Sequence, residues 1–367
     1  MIKRISALVA ALLIIMITFF AINQYRKSTR NIVDVIASKN DLVNVLVAGI
    51  NSYKDDTFVF FAVISVNPAN GNCGITLIPP NYGVFMNDDG SRIKKISEID
   101  FYYYNRIRFS LKKDLGLDVP FYVKLYSPDV IRTVDLIGGV NIFSIDQAPG
   151  VSNMKFGLNY LDGVKTMQYI NSTRDGSIFI KYDRILDVIM SLYYDVNLRD
   201  LYKNPLFLAE VFKSIKTNML PREIYTISGM LNDKGDFYAS LMPGGYSSEY
   251  YVVDEISFKS YQQDFLMPIA VDEIAEGEIK IKILNGTSVP GLARQLRNSL
   301  IRDGLNVVEF GTSSYPQMTE SVIICRKSDF YAADQVAGKT GIRNIYFVND
   351  STQFNNLLII IGDDLAK

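Results

Sequence analysis

There is no histidine in this chain of 367 residues. That removes Ser-His-Asp and Cys-His catalysis, histidine general bases and the usual zinc ligand sets. Any chemistry is left to Asp, Glu, Lys, Arg, Tyr, Ser or a bound metal. Cysteine is nearly as scarce. Cys73 and Cys325 stand far apart, and a bridge between them would have to join two domains, so free thiols are expected. An excess of one charge is missing too: 38 basic residues face 39 acidic ones, which gives no reason to expect a nucleic-acid partner. No helix-turn-helix pattern or basic patch is visible. Phosphate loops ending in Gly-Lys-Ser/Thr and Gly-x-Gly-x-x-Gly fingerprints are also absent.

What is present begins with an uncharged apolar run over 5–22, behind Lys3 and Arg4. About 18 residues is near the minimum for spanning a bilayer. Bulky Phe19 and Phe20 at its end argue for an uncleaved signal anchor over a cleaved secretory signal. Flanking charge does not orient it, because Lys3 and Arg4 face Arg26, Lys27 and Arg30 across the run. The rest of the chain exceeds one ordinary core and predicts two or more domains.

The stretch around which the sequence is organised is 43–78. Two runs rich in β-branched and aromatic residues, 43–49 and 57–66, predict strands covered on both faces. Asn70-Gly71 signals a turn, a third strand returns over 75–78, and Pro79-Pro80 stops it. The polar loop from Ile50 to Asp56 then sits at one edge of a sheet, where ligand-handling residues are often held. A plain solvated connection is the competing reading. Further on, Phe101, Tyr104, Ile107, Leu111 and Leu115 predict a helix stopped by Gly116. A strand over 120–126 precedes a helix with Ser127 as N-cap, Pro128 in its first turn and Asp129 near its positive end. Asp162 caps another helix. Tyr182, Ile185, Leu186, Ile189, Met190 and Tyr193 mark an amphipathic helix over 181–194, from which Lys181 and Arg184 project together.

Read in order, these pieces form a set: Gly49 with Lys54-Asp55-Asp56-Thr57, Ile78-Pro79, and Val134-Asp135-Leu136-Ile137-Gly138-Gly139-Val140. Gly157 with Leu161-Asp162-Gly163, the helix bearing Lys181 and Arg184, and Met242-Pro243-Gly244 complete it. The set resembles the LytR–CpsA–Psr (LCP) family over about 41–266. The resemblance implies an N-terminal transmembrane helix and an extracytoplasmic α/β/α sandwich with a central mixed sheet. It also implies transfer of a glycopolymer phosphate from a polyprenyl diphosphate carrier to peptidoglycan or another envelope acceptor. The site residues it implies are Asp56, Lys181 and Arg184 as catalytic groups, with Lys54, Asn51, Asn81 and Arg174 against the substrate. Asp55 and Asp56 would hold a divalent cation such as Mg2+, which a diphosphate needs alongside guanidinium groups. An apolar slot between helices and sheet would take the lipid tail.

Several positions depart from that family's pattern. Asn51 replaces an Asp, Lys54 and Lys181 replace arginines, and Pro80-Asn81 replaces an Arg-Asp pair. An expected arginine falls near Asn171, with Arg174 close but out of register. Lysine is a point charge and a poor exchange for a bidentate guanidinium.

Beyond this unit, 267–278 is acidic and without periodicity, and it reads as a linker. A strand over 279–284, the loop Asn285-Gly286-Thr287-Ser288-Val289-Pro290-Gly291 and a helix with Leu292, Leu296 and Leu300 open a small α/β unit over 279–367. With its closing strand at 357–361, this unit is similar to the LytR C-terminal domain. Nothing in the linker ties the two domains, so the second is expected to fold by itself. Three functions compete at this point: an LCP-type phosphotransferase, an inactive envelope protein that binds lipid-linked polymers, and a membrane-tethered scaffold or regulator.

Overall fold

The computed structural model describes residues 31–366 apart from 55–56, 91, 146–149, 174–175, 196–197, 199–200, 202–203, 214, 232–234 and 272–278. The expected anchor at 5–22 lies outside the described residues. Among those described, no helix is long and apolar enough to cross a membrane.

A short helix, α1 (Ile32–Ala37), is capped by the Asn31 side chain, which accepts from the Val33 amide. β1 (Val43–Ile50), β2 (Phe58–Val66) and β3 (Cys73–Ile78) follow as an antiparallel meander. All six residues of β3 are buried, as its unbroken apolar pattern predicts. Gly71 turns the chain between β2 and β3 with φ 81°, a left-handed conformation that glycine adopts freely. A hairpin of β4 (Gly83–Phe85) and β5 (Ile93–Lys95) leads to α2 (Tyr104–Leu115). Next come β6 (Phe121–Tyr126), α3 (Ser127–Leu136) and the hairpin of β7 (Val140–Ser144) with β8 (Gly157–Leu161). Of the next two helices, α4 (Gly163–Asn171) packs beside α3 and α5 (Ile178–Tyr193) packs beside α4.

Segments with little periodic pattern finish this unit. They are α6 (Pro205–Phe212), β9 (Lys216–Thr217), α7 (Pro221–Met230) and β10 (Phe237–Leu241), then β11 (Gly245–Ser247), β12 (Tyr250–Val252) and α8 (Glu255–Tyr261). The central sheet runs β10-β3-β2-β1-β6-β9. It is mixed, because β1 pairs parallel with β6 and β3 parallel with β10. Helices cover both faces. Phe61, Val63 and Ile78 pack with Ile107, Leu111 and Leu115 of α2 on one side. Ala62 and Leu77 pack with Met167, Tyr182 and Ile185 on the other.

Two details differ from the sequence reading. Ser127 is the first helical residue of α3, with Tyr126 at the cap position, and its hydroxyl donates to the Ile50 carbonyl at 3.2 Å. The start of the supposed linker is helical: α9 (Met267–Val271) continues from α8 through a π turn over Gln262–Leu266. Ile269 is buried against Gly74, where a Cβ would lie 2.1 Å from its terminal methyl. Residues 272–278 lie outside the described set.

The last part of the chain forms its own sheet from β13 (Lys280–Asn285), β14 (Asn306–Thr312), β15 (Val322–Cys325), β16 (Asn344–Phe347) and β17 (Leu357–Ile361). Two helices, α10 (Leu292–Arg302) and α11 (Phe330–Thr340), accompany it, and the strand order is β14-β13-β17-β15-β16. Cys73 and Cys325 are buried free thiols in different sheets.

The small unit is tied to the large one after all, through α5 and the β7–β8 hairpin rather than the linker. Tyr194 stacks on Phe330 with ring centroids 3.9 Å apart, Phe143 on Tyr346 at 4.9 Å and Phe156 on Tyr315 at 5.3 Å. Phe143 and Ile145 share one buried cluster with Val322, Ile324, Val348, Leu358 and Ile360. Expressed alone, residues 279–367 are therefore expected to expose an apolar face and self-associate. Sedimentation of that fragment checks this, and a monodisperse monomer would show that the face is dispensable.

Candidate functional site

Strand direction gathers one set of ends at a single sheet edge. Ile50 closes β1 opposite Phe58 and Tyr126, and Ile78 closes β3 opposite Phe61. The described residues of the loop, 51–54 and 57, therefore lie beside the start of α3 and the turn after β3. The Asn51 amide donates to the Thr57 carbonyl at 2.9 Å and closes the loop at its base. Tyr53 leans on the Tyr126 ring at 4.8 Å, and its hydroxyl donates to Asp129 at 2.5 Å. Asp129 is buried, and Arg132 stands 4.0 Å from it while reaching Glu210 at 3.2 Å. Sequence reasoning assigned Asp129 only a helix-dipole role and missed Tyr53. No spacing signal links a loop tyrosine to an aspartate 76 positions on.

Behind this edge, between the sheet and helices α3, α4 and α5, lies an apolar cavity of about 300 Å3. Phe60, Leu125, Val130, Met167, Val188 and Ile189 line it, and Gly49, Ile50 and Ser127 lie at the loop end. Gly49 permits this shape, since a Cβ there would lie 2.2 Å from the Phe60 ring that crosses β1. The volume is at the small end of the ~300–1,000 Å3 typical of small-ligand pockets, and its walls suit hydrocarbon.

Helix α5 begins at the same edge. The Tyr182 hydroxyl donates to the Ile78 carbonyl at the end of β3, whereas Tyr193 reaches Gly235 at the far edge. Lys181 lies in the first turn of α5, one turn before Ile185 and two before Val188, both of which line the cavity. Burial lowers its pKa, and no carboxylate among the described residues lies within ion-pair distance. Lys54 is exposed on the loop. Asn81 is half-buried in the turn after β3, and its carbonyl accepts from the Tyr251 amide at 2.9 Å. These groups share the edge with Asn51. Asp55, Asp56 and Arg174 lie outside the described residues. Mg2+ ligation by Asp55 and Asp56 thus has no described geometry, and among the described residues no group of three or more metal-ligating side chains occurs.

Arg184 makes its described contacts within the helices. Its Nη1 donates to the Tyr169 hydroxyl of α4 at 2.7 Å, and it lies 3.9 Å from Asp187 on its own helix. Tyr169 in turn donates to Asp187 at 2.5 Å. Burial pushes the Asp187 carboxyl up to about 6, against the opposing effects of Arg184 and its hydrogen-bond donors. Arg184 Nε is buried with no hydrogen-bond partner among the described residues. Asn171 is no substitute for an arginine, since its amide donates to the Met167 carbonyl of its own helix at 3.0 Å.

Residues 278–365 match the family profile described as LytR cell envelope-related transcriptional attenuator. No curated protein matches the chain by sequence. Solved structures do match by shape. A transcriptional regulator from Enterococcus faecalis superposes with a TM-score of 0.50 at 15% identity, over 66% of this chain and 91% of its own. TagT bound to LIIa-WTA gives 0.51 at 13% identity, over 64% and 92%. A putative transcriptional regulator, ywtF of Bacillus subtilis, gives 0.50 at 13%, over 63% and 92%. The chain has the LCP fold and carries a LytR C-terminal domain. At these identities the likeness of the larger unit is one of fold.

Within that LCP fold, most of the recognised motifs serve the architecture. Asp135 accepts from the Gly163 amide at 2.8 Å, which binds two of them to each other. Asp162 caps α4 by accepting from Lys165 at 2.8 Å. The Met242 amide donates to Leu77, and the Tyr251 hydroxyl holds the Met242 and Gly244 carbonyls, which fixes the Met-Pro-Gly element beside the same edge. In the LytR C-terminal domain, Asn285 accepts from Thr287 and donates to Val289, so its loop is held by its own polar groups.

Proposed function

We propose that this chain is a cell-envelope protein that binds a polyprenyl-diphosphate-linked glycopolymer. The lipid tail enters the apolar cavity, and the diphosphate rests at the loop edge near Lys181, Lys54, Asn51 and Asn81. In this reading the segment at 5–22 anchors the chain in the cytoplasmic membrane, with the bulk outside it. The observation that carries the proposal is the cavity, an apolar slot that reaches the loop edge at Gly49, Ile50 and Ser127, with half-buried Lys181 in the first turn of the helix that forms one of its walls. A half-buried cation favours an anionic neighbour, which a diphosphate would supply. The TagT structure with LIIa-WTA supports a polymer ligand for this fold.

Binding without transfer is the reading that the arrangement supports best. Transfer to a peptidoglycan hydroxyl asks for several groups preorganised on the charge of the transition state. Here Arg184 is engaged by Tyr169 and Asp187, and Asn171 by its own helix. A divalent cation on Asp55 and Asp56 would supply further charge and remains part of the proposal, with no step assigned to it.

Ile189→Trp, which fills the slot from a half-buried position, tests the proposal. Geranylgeranyl diphosphate should bind the native chain and lose at least tenfold in affinity in the variant, by calorimetric titration. Inorganic diphosphate should bind both forms alike. Equal affinity of the lipid for both forms would remove the slot from the reading.

A further inference from the structure

The polar side of α5 is covered by the LytR C-terminal domain at two points one helical turn apart. Asp183 accepts from the Ser351 amide at 3.0 Å and from its hydroxyl at 3.1 Å. Asp187 accepts from the Asn349 amide at 2.6 Å and from its side-chain nitrogen at 3.0 Å. Asn349 is buried and held from behind, since Ser328 donates to its side-chain oxygen at 2.6 Å. The same loop is braced by Arg326 on Asp350 at 2.7 Å and by Lys327 on the Asp350 and Ser351 carbonyls. The clasped turns also carry Lys181 and Arg184, and through Ile185, Val188 and Ile189 they form one wall of the slot.

We propose that Asn349 and Ser351 are positioning residues. They fix the first half of α5 from the C-terminal domain, so that the slot wall and its cations are set only while that domain is docked. This rests on the reading of the slot as the ligand site. The chain of contacts is continuous: Asn349 donates to Asp187, Tyr169 donates to the same carboxylate, and Arg184 donates to Tyr169. A partner that draws the C-terminal domain away would release Asp187 to water and loosen the wall. The fold thereby couples events on the small domain to occupancy of the large one.

Asn349→Asp, in the full-length chain, makes the test nearly isosteric. The new carboxylate would lie about 3 Å from Asp187, and two carboxylates that close cannot both ionise without repulsion. Arg184 and Tyr169 face Asp187 from α5 and α4, while Lys327 and Asp350 of the docked loop flank the neighbouring Asp183. At pH 5 a shared proton should keep the loop seated. At pH 8 the loop should lift, and amide exchange over 181–188 should quicken at least tenfold relative to the native chain, with α2 unchanged. Geranylgeranyl diphosphate affinity should fall at least tenfold at pH 8 and recover at pH 5, beyond any change in the native chain. Native exchange rates in α5 at pH 8 would overturn the proposal. So would fast exchange in α5 with unaltered affinity. If the native chain binds no lipid diphosphate, the ligand reading fails, and the exchange data alone still decide whether the domain sets the helix.

Discussion

Arg184→Ala should cost about 3 kcal/mol of folding stability at neutral pH, the scale seen when one partner of a buried ion pair is removed. The side chain is mostly buried, and its loss leaves Tyr169 and Asp187 without the cation they face. The size of the loss should depend on pH through Asp187. An unfolded aspartate titrates near 3.9, whereas burial pushes Asp187 up to about 6 in the folded chain. The folded state therefore holds this proton more tightly. Stability from the group is fully present below about 3.9 and is lost as pH rises through about 6, on the order of 3 kcal/mol in all. Removing Arg184 raises the carboxyl further and extends the loss to higher pH. The deficit of Arg184→Ala should thus be larger at pH 8 than at pH 5 in urea denaturation. Asp187→Asn should flatten the dependence between pH 4 and pH 7. A deficit larger at pH 5 would mean that Arg184 is held by groups other than Asp187.

How much of this was legible beforehand follows from what periodicity carries. The buried strands β1 to β3 and helices α2 and α5 were plain, because their apolar spacing matches the strand or helix repeat. The edge loop and the slot beneath it followed from strand direction and from the resemblance. Hidden were contacts between distant segments. β10 joins β3 from about 160 residues away, and nothing in Phe237-Tyr238-Ala239-Ser240-Leu241 names its partner. The docking of Asp183 and Asp187 on α5 was invisible, since a helical wheel cannot distinguish water from Asn349 and Ser351 of another domain. The same blindness hid the neighbours of Arg184. Its spacing from Lys181 suits a shared side of the helix, and nothing in that spacing shows that Tyr169 and Asp187 meet its guanidinium. The linker likewise said nothing about docking, because the surfaces that dock lie elsewhere in the chain.

Gly163→Ala should be a severely damaging single methyl in the LCP-fold unit. Gly163 opens α4 where that helix meets α3, and a Cβ there would lie 2.2 Å from the Ile131 carbonyl oxygen and 2.7 Å from its carbon. Both atoms belong to helix backbone, so no side chain can swing aside. The helices must separate, which strains the Asp135 bond to the Gly163 amide and the Asp162 cap behind it. Overpacking of this kind costs about 3 kcal/mol or more where the obstacle is rigid. Separation also moves Val130 and Thr133 away from Met167 and Ile170, which face one another across the slot. Affinity for geranylgeranyl diphosphate should fall together with the denaturation midpoint. Gly229→Ala supplies the contrast. That glycine lies in α7, where an added methyl would meet nothing within 4 Å, and alanine there should stabilise by about 0.5–1 kcal/mol. If Gly163→Ala behaves like Gly229→Ala, the Leu-Asp-Gly element is not a helix-packing device, and its place beside the slot needs a different explanation.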